Sequence, residues 1–168
     1  VYDICKYGAK GDGKTLNTNA INSAIEYCAE NGGGTVLIPK GTFLSGTIYL
    51  KDNISLVLRK GAVLKGTADV SQYKSYTPLG NLSMFDSGGD GENANSASDP
   101  HWNRALILGV GVSNISIEGE GIIDGNHVFD SEGEENMRGP HTIIIAESRN
   151  ILMRGITCLL YTSDAADE

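Results

Sequence analysis

The sequence lacks the features that mark several large classes of protein. Lysine and arginine number 13 against 21 aspartates and glutamates, so the formal charge of −8 argues against the basic face that nucleic acids and anionic membranes require. No apolar run approaches the roughly 20 residues of a membrane helix. The 22 glycines have no three-residue period, which excludes collagen. We therefore expect a soluble, folded protein with neither a nucleic-acid nor a membrane partner.

Cysteine is also scarce. Cys5, Cys28 and Cys158 form no Cys-x-x-Cys or Cys/His spacing, and the three histidines lack the spacing of metal ligands. We predict no metal and no cofactor. Cys28 lies on the apolar side of a predicted helix and is expected to be a small core residue, although a disulfide with Cys5 in an oxidising compartment remains open.

One segment, about residues 16–31, has the periodicity of a helix. Its apolar positions recur at three- and four-residue steps: Ile21, Ala24, Ile25 and Cys28. Asn17 or Thr18 is the expected N-cap, and the glycines at 32–34 end the helix. A single apolar stripe means that this helix covers another apolar surface.

After the helix, the sequence changes to short β-rich runs bounded by turn-forming residues. The predicted strands are 35–38, 42–50, 54–58, 62–64, 105–108, 115–118, 121–123, 142–145 and 151–154. No second long helix separates them, which disfavours βαβ units. A sandwich, a barrel and a solenoid all fit this spacing.

Weak internal repeats favour the solenoid. Asn53, Asn114 and Asn150 each open an apolar strand that is followed by a glycine-bearing turn. Repeated asparagines can stack as a ladder, in which each amide bonds the backbone of the next coil. We therefore predict an all-β fold, a parallel β-helix with the helix at 16–31 as its N-terminal cap, over the alternative of a sandwich.

The β-strand pattern is absent from about residues 67–104, which predicts a long loop inserted at one turn. Near its end lie His101 and the sole tryptophan, Trp102. An aromatic ring at this place can stack on a sugar ring or fasten the loop to the body of the protein.

Several segments resemble a known group of proteins. The opening Tyr7-Gly8-Ala9-Lys10-Gly11-Asp12-Gly13 and the run from Gly32 to Phe43 are similar to the start of pectin-lyase-like β-helices. The stretch 44–66, Gly119–Asn126 and Arg138-Gly139-Pro140-His141 resemble bacterial polygalacturonases of glycoside hydrolase family 28. The match spans nearly all of 1–157, which we take as one unit, the N-terminal part of a β-helix domain.

This resemblance implies a right-handed parallel β-helix and an activity. Members hydrolyse α-1,4 links between galacturonates with inversion, which makes pectin or polygalacturonate the expected partner. A secreted or periplasmic location and a monomeric full-length protein are expected with it. A non-hydrolytic polysaccharide-binding β-helix, such as a tailspike-like adhesin, and a pectate lyase with acidic calcium ligands are the alternatives.

The catalytic signatures of the family are missing from this sequence. They are an Asn-Thr-Asp, a pair of adjacent aspartates, a Gly-His-Gly and an Arg-x-Lys, and none of them occurs here. Their order in the family places them after residue 157. We therefore assign no catalytic residue, and we expect a C-terminally truncated fragment without activity.

Four residues are predicted to contact substrate: Arg138, His141, His101 and Trp102. Arg138 and His141 come at the end of a loop just before a strand, where a cation can meet a uronate carboxylate. Asp12 and Asp124 are expected to be turn residues, and Glu118 a surface residue.

The last 11 residues, 158–168, break every preceding pattern. A codon string that encodes them resembles a transposase-type sequencing-library adapter read in frame. We expect this tail to be non-native and leave it out of the fold prediction.

Overall fold

The fold is a stack of β-strand coils. The computed structural model describes residues 1–81, 103–133 and 138–159. The strands form three parallel sheets that the chain visits in turn, so the predicted right-handed parallel β-helix with an N-terminal helix is confirmed.

The elements follow one another coil by coil. The chain begins with β1 (Tyr2–Asp3), a single-turn 3-10 helix (Ile4–Tyr7), β2 (Asp12–Leu16) and α1 (Thr18–Glu30). The first full coil contains β3 (Gly34–Ile38), β4 (Gly41–Ser45) and β5 (Ile48–Tyr49). The second contains β6 (Ile54–Leu58), β7 (Ala62–Gly66), a 3-10 turn (Val70–Gln72), the short β8 (Lys74–Ser75) and β9 (Arg104–Val110). The third contains β10 (Ser113–Gly119), β11 (Ile122–Asp124) and β12 (His141–Ala146), and β13 (Arg149–Arg154) and β14 (Thr157–Leu159) follow.

Each sheet collects one strand from each coil. Sheet A has the order β1-β3-β6-β10-β13, sheet B the order β14-β11-β7-β4-β2, and sheet C the order β12-β9-β5. The short strand β8 pairs with β9 in the antiparallel direction. Parallel pairing in register places equivalent residues of successive coils about 4.8 Å apart.

The core consists of columns of apolar side chains inside the stack. Val36, Leu56 and Ile117 are aligned in sheet A and fully buried. Sheet B supplies Phe43, Leu64 and Ile123 in the same way. A coil therefore buries its apolar residues against the coils on either side, which is how solenoids gain stability.

The asparagine ladder is present, but its hydrogen bonds differ from those expected. Asn114 Nδ2 donates to Asn53 Oδ1 at 3.1 Å, and Asn150 Nδ2 donates to Asn114 Oδ1 at 2.5 Å. The side chains thus bond each other, and the prediction of amide-to-backbone bonds was wrong. All three asparagines have a left-handed backbone, with φ of 61°, 57° and 59°.

Helix α1 covers the first coil with the predicted stripe, whose members are all fully buried: Ile21, Ala24, Ile25 and Cys28. Its N-cap residue, Asn17, makes no side-chain cap bond. Instead, the buried amide of Asn17 accepts from Lys10 N at 2.7 Å and donates to Leu44 O at 3.2 Å, which ties the start of the helix to β4. Cys5 is exposed and Cys28 buried, both as free thiols.

The single strand predicted at 42–50 is two strands, β4 and β5. The chain turns at Gly46-Thr47, where Gly46 N donates to Thr18 Oγ1 at 2.8 Å and Thr47 N donates to Gln72 O at 3.1 Å. Strands β1, β2, β8 and β14 were not predicted. Strand β2 is mostly polar, and β14 is defined by its pairing with β11.

Candidate functional site

Two long insertions leave the β-helix at the same corner. Residues 67–103 connect β7 of sheet B to β9 of sheet C, and residues 125–140 connect β11 to β12 in the next coil. In the first coil, this corner is only Gly46-Thr47. We call the described residues of these segments the loop corner. Because binding residues commonly lie on loops held by a rigid scaffold, the loop corner is the candidate site.

The hydroxyl of Thr47 fastens the first insertion to sheet C. Thr47 is buried, and its Oγ1 donates to Ala105 O at 2.6 Å while it accepts from Lys74 N at 2.7 Å. Lys74 and His141 both lie opposite Ala105, one from β8 and the other from β12. Directly opposed residues project to the same face, so these two exposed side chains flank the start of β9.

A tight turn begins the second insertion. Asp124 Oδ1 accepts from Asn126 N at 2.8 Å, and Asn126 Nδ2 donates to Gly66 O at 2.9 Å in the coil below. Asn126 and His127 both have positive φ, 61° and 43°, which reverses the chain direction. Asp124 is therefore the turn residue that the sequence predicted.

A largely buried ion pair holds the second insertion against sheet C. Arg104, the first residue of β9, binds the carboxylate of Asp130, and their side chains are only 16% and 6% exposed. Asp130 Oδ1 also accepts from Glu132 N at 2.9 Å. A charge withdrawn from water is costly without its partner, so the contact favours the position of the loop in which the two charges meet.

The second insertion folds back on itself in an antiparallel manner. Two of the predicted substrate-binding residues lie at its end. Arg138 forms an antiparallel bridge with Phe129. Three residues later, His141 begins β12. Both side chains are exposed at the loop corner.

The other two predicted contacts, His101 and Trp102, lie outside the described residues. Lys74, Arg104 and Asp130 were not predicted as parts of the site. No local pattern marks them, since they meet only after the two insertions have folded onto sheet C. The ion pair of Arg104 and Asp130 spans 26 positions of the sequence.

Two acidic residues weighed in the sequence have structural partners elsewhere. Hydrogen bonds from the backbone N–H groups of Thr15 and Lys14 and from the Thr15 hydroxyl lower the pKa of Asp12 to about 2. The hydroxyl of Ser116, and then Arg154 at 2.7 Å, lower the pKa of Glu118 on the outside of sheet A.

Burial raises the pKa of Tyr73 above its ordinary value, and the nearby charge of Asp124 adds to this. The Tyr73 hydroxyl donates to Thr67 O at 2.7 Å. Tyr73 therefore fastens the first insertion as a neutral phenol.

Within residues 1–81, 103–133 and 138–159, no three His, Cys, Asp or Glu side chains are grouped so that they could hold a metal ion. No helix in the described part of the chain is long and apolar enough to span a membrane.

Comparison with known proteins finds relatives that are named as a galacturonosidase and a polygalacturonase. The chain is 37% identical over 137 residues to an exo-poly-α-D-galacturonosidase of Dickeya chrysanthemi, covering 75% of this chain and 19% of that protein. It is 32% identical over 126 residues to a probable polygalacturonase of Vitis vinifera, covering 73% of this chain and 24% of that protein. The chain thus spans about a fifth to a quarter of the length of these curated relatives.

A solved structure supports the fold. The family 28 exopolygalacturonase of Yersinia enterocolitica superposes with a TM-score of 0.71 at 23% identity, over 94% of this chain and 34% of that one. The model of the family described as "Rhamnogalacturonase A/epimerase, pectate lyase-like" matches residues 1–144. The resemblance to polygalacturonase-like proteins of the pectin-lyase-like superfamily is confirmed, and this chain belongs to the rhamnogalacturonase A/epimerase, pectate lyase-like family.

Proposed function

We propose that this chain is the N-terminal part of a glycoside hydrolase that cleaves α-1,4-galacturonosyl links in pectin with inversion. The observation that carries the proposal is the loop corner, where exposed Arg138 lies three residues before exposed His141 on a scaffold whose relatives are named polygalacturonases. A secreted or periplasmic location and a monomeric full-length protein belong to the same proposal.

The chemistry requires carboxylates on both sides of the scissile bond. One carboxylic acid protonates the leaving oxygen, and opposed carboxylates activate a water on the other face of the sugar. In inverting enzymes these functions lie about 6.5–9.5 Å apart, which leaves room for the water. A parallel β-helix suits this arrangement, because residues of adjacent coils stack about 4.8 Å apart on one face.

In this proposal the catalytic carboxylates belong to coils that follow residue 157. The coils of this chain contribute one wall of the substrate cleft. Arg138 pairs with a uronate carboxylate through its planar guanidinium, and His141 donates a hydrogen bond at the start of β12. His101 and Trp102 remain proposed contacts from the first insertion.

The enzymatic part of the proposal is tested with the complete gene. Its downstream segment is expected to encode the Asn-Thr-Asp and the paired aspartates, and its product is expected to release reducing ends from polygalacturonate. The purified 168-residue chain is expected to release none. A full gene without these signatures would contradict hydrolysis and leave a polysaccharide-binding β-helix.

We also propose that residues 158–168 are an adapter-derived tail. Cys158 and Leu159 continue β14, and residues 160–168 lie outside the described part of the chain. The test is the nucleotide sequence across Thr157. Ordinary codon usage there, in place of the adapter string, would contradict the proposal.

A further inference from the structure

Phe129 is an exposed aromatic side chain beside the proposed substrate contacts. It is 65% exposed, although large apolar side chains are normally withdrawn from water. Its neighbour Val128 packs against the core, so the alternation of side chains along the extended chain directs Phe129 outward.

The backbone that carries Phe129 is held in place at both ends. The turn at Asn126 precedes it, bonded to Gly66 O at 2.9 Å, and the ion pair of Asp130 with Arg104 follows it directly. Gly139, across the insertion, lies so close that an added Cβ would stand 1.9 Å from Val128 O. The backbone is thus fixed on both sides of Phe129, and this keeps the ring exposed.

The partner of Phe129 across the insertion is Arg138. Directly opposed residues of an antiparallel pair have their Cβ atoms about 4.5–5.5 Å apart on one face. The side chains of Phe129 and Arg138 therefore leave the backbone on the same face, and both are exposed. His141 lies three residues beyond Arg138.

A galacturonate unit offers two matching groups. One face of the pyranose carries neighbouring C–H groups, whose partial positive charge complements the negative face of an aromatic ring. The carboxylate at the edge of the same sugar accepts two parallel N–H bonds from an arginine.

We propose that Phe129 is a stacking platform for a sugar ring of the uronate chain whose carboxylate Arg138 binds. This inference rests on the function proposed above and adds a contact of different chemistry to it. Stacking on Phe129 provides the part of the affinity that salt does not screen, whereas the Arg138 pair provides a part that salt weakens.

The experiment is calorimetric titration of trigalacturonate into the full 168-residue chain at low and at high salt. Phe129→Ala is expected to raise Kd about three- to tenfold at both salt concentrations. Phe129→Tyr, which keeps the ring, is expected to retain the wild-type Kd. Arg138→Ala is expected to raise Kd at low salt and to have less effect at high salt.

Leu152→Ala is the matched control. Leu152 is 46% exposed on β13 of sheet A, outside the loop corner, which joins sheets B and C. Its truncation removes a similar exposed apolar group and is expected to leave Kd unchanged. Thermal unfolding of each variant, followed by circular dichroism, is expected to give the wild-type Tm for Phe129→Ala, because the ring contributes little buried area.

The outcomes separate the two proposals. If Arg138→Ala weakens binding and Phe129→Ala does not, the stacking inference is overturned while uronate binding stands. If Phe129→Tyr loses as much affinity as Phe129→Ala, ring stacking is refuted. If the wild-type chain does not bind trigalacturonate, both the inference and the proposed binding role of the loop corner fail.

Discussion

At the scale of single residues, asparagine has two roles in the ladder. Asn53, Asn114 and Asn150 each adopt a left-handed backbone, which asparagine tolerates better than most residues. Their amides also bond one another from coil to coil. The same residue type thus allows the chain to turn into sheet A and links that turn to the next one.

Substitution of the central asparagine separates these roles. Asn114→Ala is expected to lower the free energy of unfolding by about 2 kcal/mol, because it removes two side-chain hydrogen bonds and alanine tolerates the left-handed backbone less well than asparagine does. Asn114→Gly removes the bonds without the backbone strain and is expected to lower it by about 1 kcal/mol. Urea denaturation measures both, and equal losses would contradict the contribution of backbone conformation.

The lowered pKa of Asp12 predicts that the free energy of unfolding depends on pH in the acid range. Its folded-state pKa of about 2 lies below the value of about 3.9 for an unfolded aspartate, so the ionised form stabilises the fold. This contribution is present above about pH 4 and is lost as the pH falls through about 2. In Asp12→Asn the contribution is absent, so the difference in unfolding free energy from wild type is expected to shrink over this range. A difference that stays constant with pH would refute the assignment.

At the scale of the element, a largely buried charge pair and a turn help to hold the described part of the second insertion. Arg104 belongs to β9, and Asp130 belongs to the second insertion. Their contact therefore joins this loop to sheet C, although Asp130 is not part of a strand of that sheet. This explains how exposed Arg138 and Phe129 keep a defined place without packing into the core.

Removal of one partner of the pair is expected to be costly. Asp130→Asn leaves the Arg104 charge without its counterion and is expected to lower the free energy of unfolding by about 3 kcal/mol. The double variant Arg104→Met, Asp130→Leu removes both charges and is expected to restore much of that loss. Thermal and urea unfolding test this. A double variant as unstable as Asp130→Asn would show that the uncompensated charge is not the cause.

At the scale of the whole molecule, stability comes from columns that run through the coils. Ile117 and Met153 occupy successive places in one column of sheet A, but Ile117 is fully buried and Met153 is 44% exposed. Truncation to alanine at each of these two positions therefore measures how much a neighbouring coil contributes to the free energy of unfolding.

Ile117→Ala is expected to lower the free energy of unfolding by about 2–5 kcal/mol, because it leaves a cavity between two coils. Met153→Ala, the matched control in β13, is expected to lower it by less than about 1 kcal/mol. Urea unfolding followed by circular dichroism gives both values. Similar losses at the two positions would contradict the stacked-column description.

Local sequence determined much of this fold. The spacing of Ile21, Ala24, Ile25 and Cys28 defined the buried side of α1, and the apolar runs located most strands to within a few residues. Periodicity and glycine turns act through neighbours in the chain, so they are visible without a structure. The division of residues 42–50 into two strands was not visible in the sequence. The turn at Gly46 and Thr47 depends on hydrogen bonds with Thr18 and Gln72, which are distant in the chain.

The sequence by itself determined the capping helix, the repeated strands and the family, and the substrate contacts at Arg138 and His141 stay predictions. Only the tertiary structure decided that both long insertions leave at one corner, that Arg104 binds Asp130, and that Phe129 lies opposite Arg138. The physical reason is the range of the interactions. Turns and apolar periods are set within a few residues, whereas a loop contact depends on which coils lie side by side after the chain has wound.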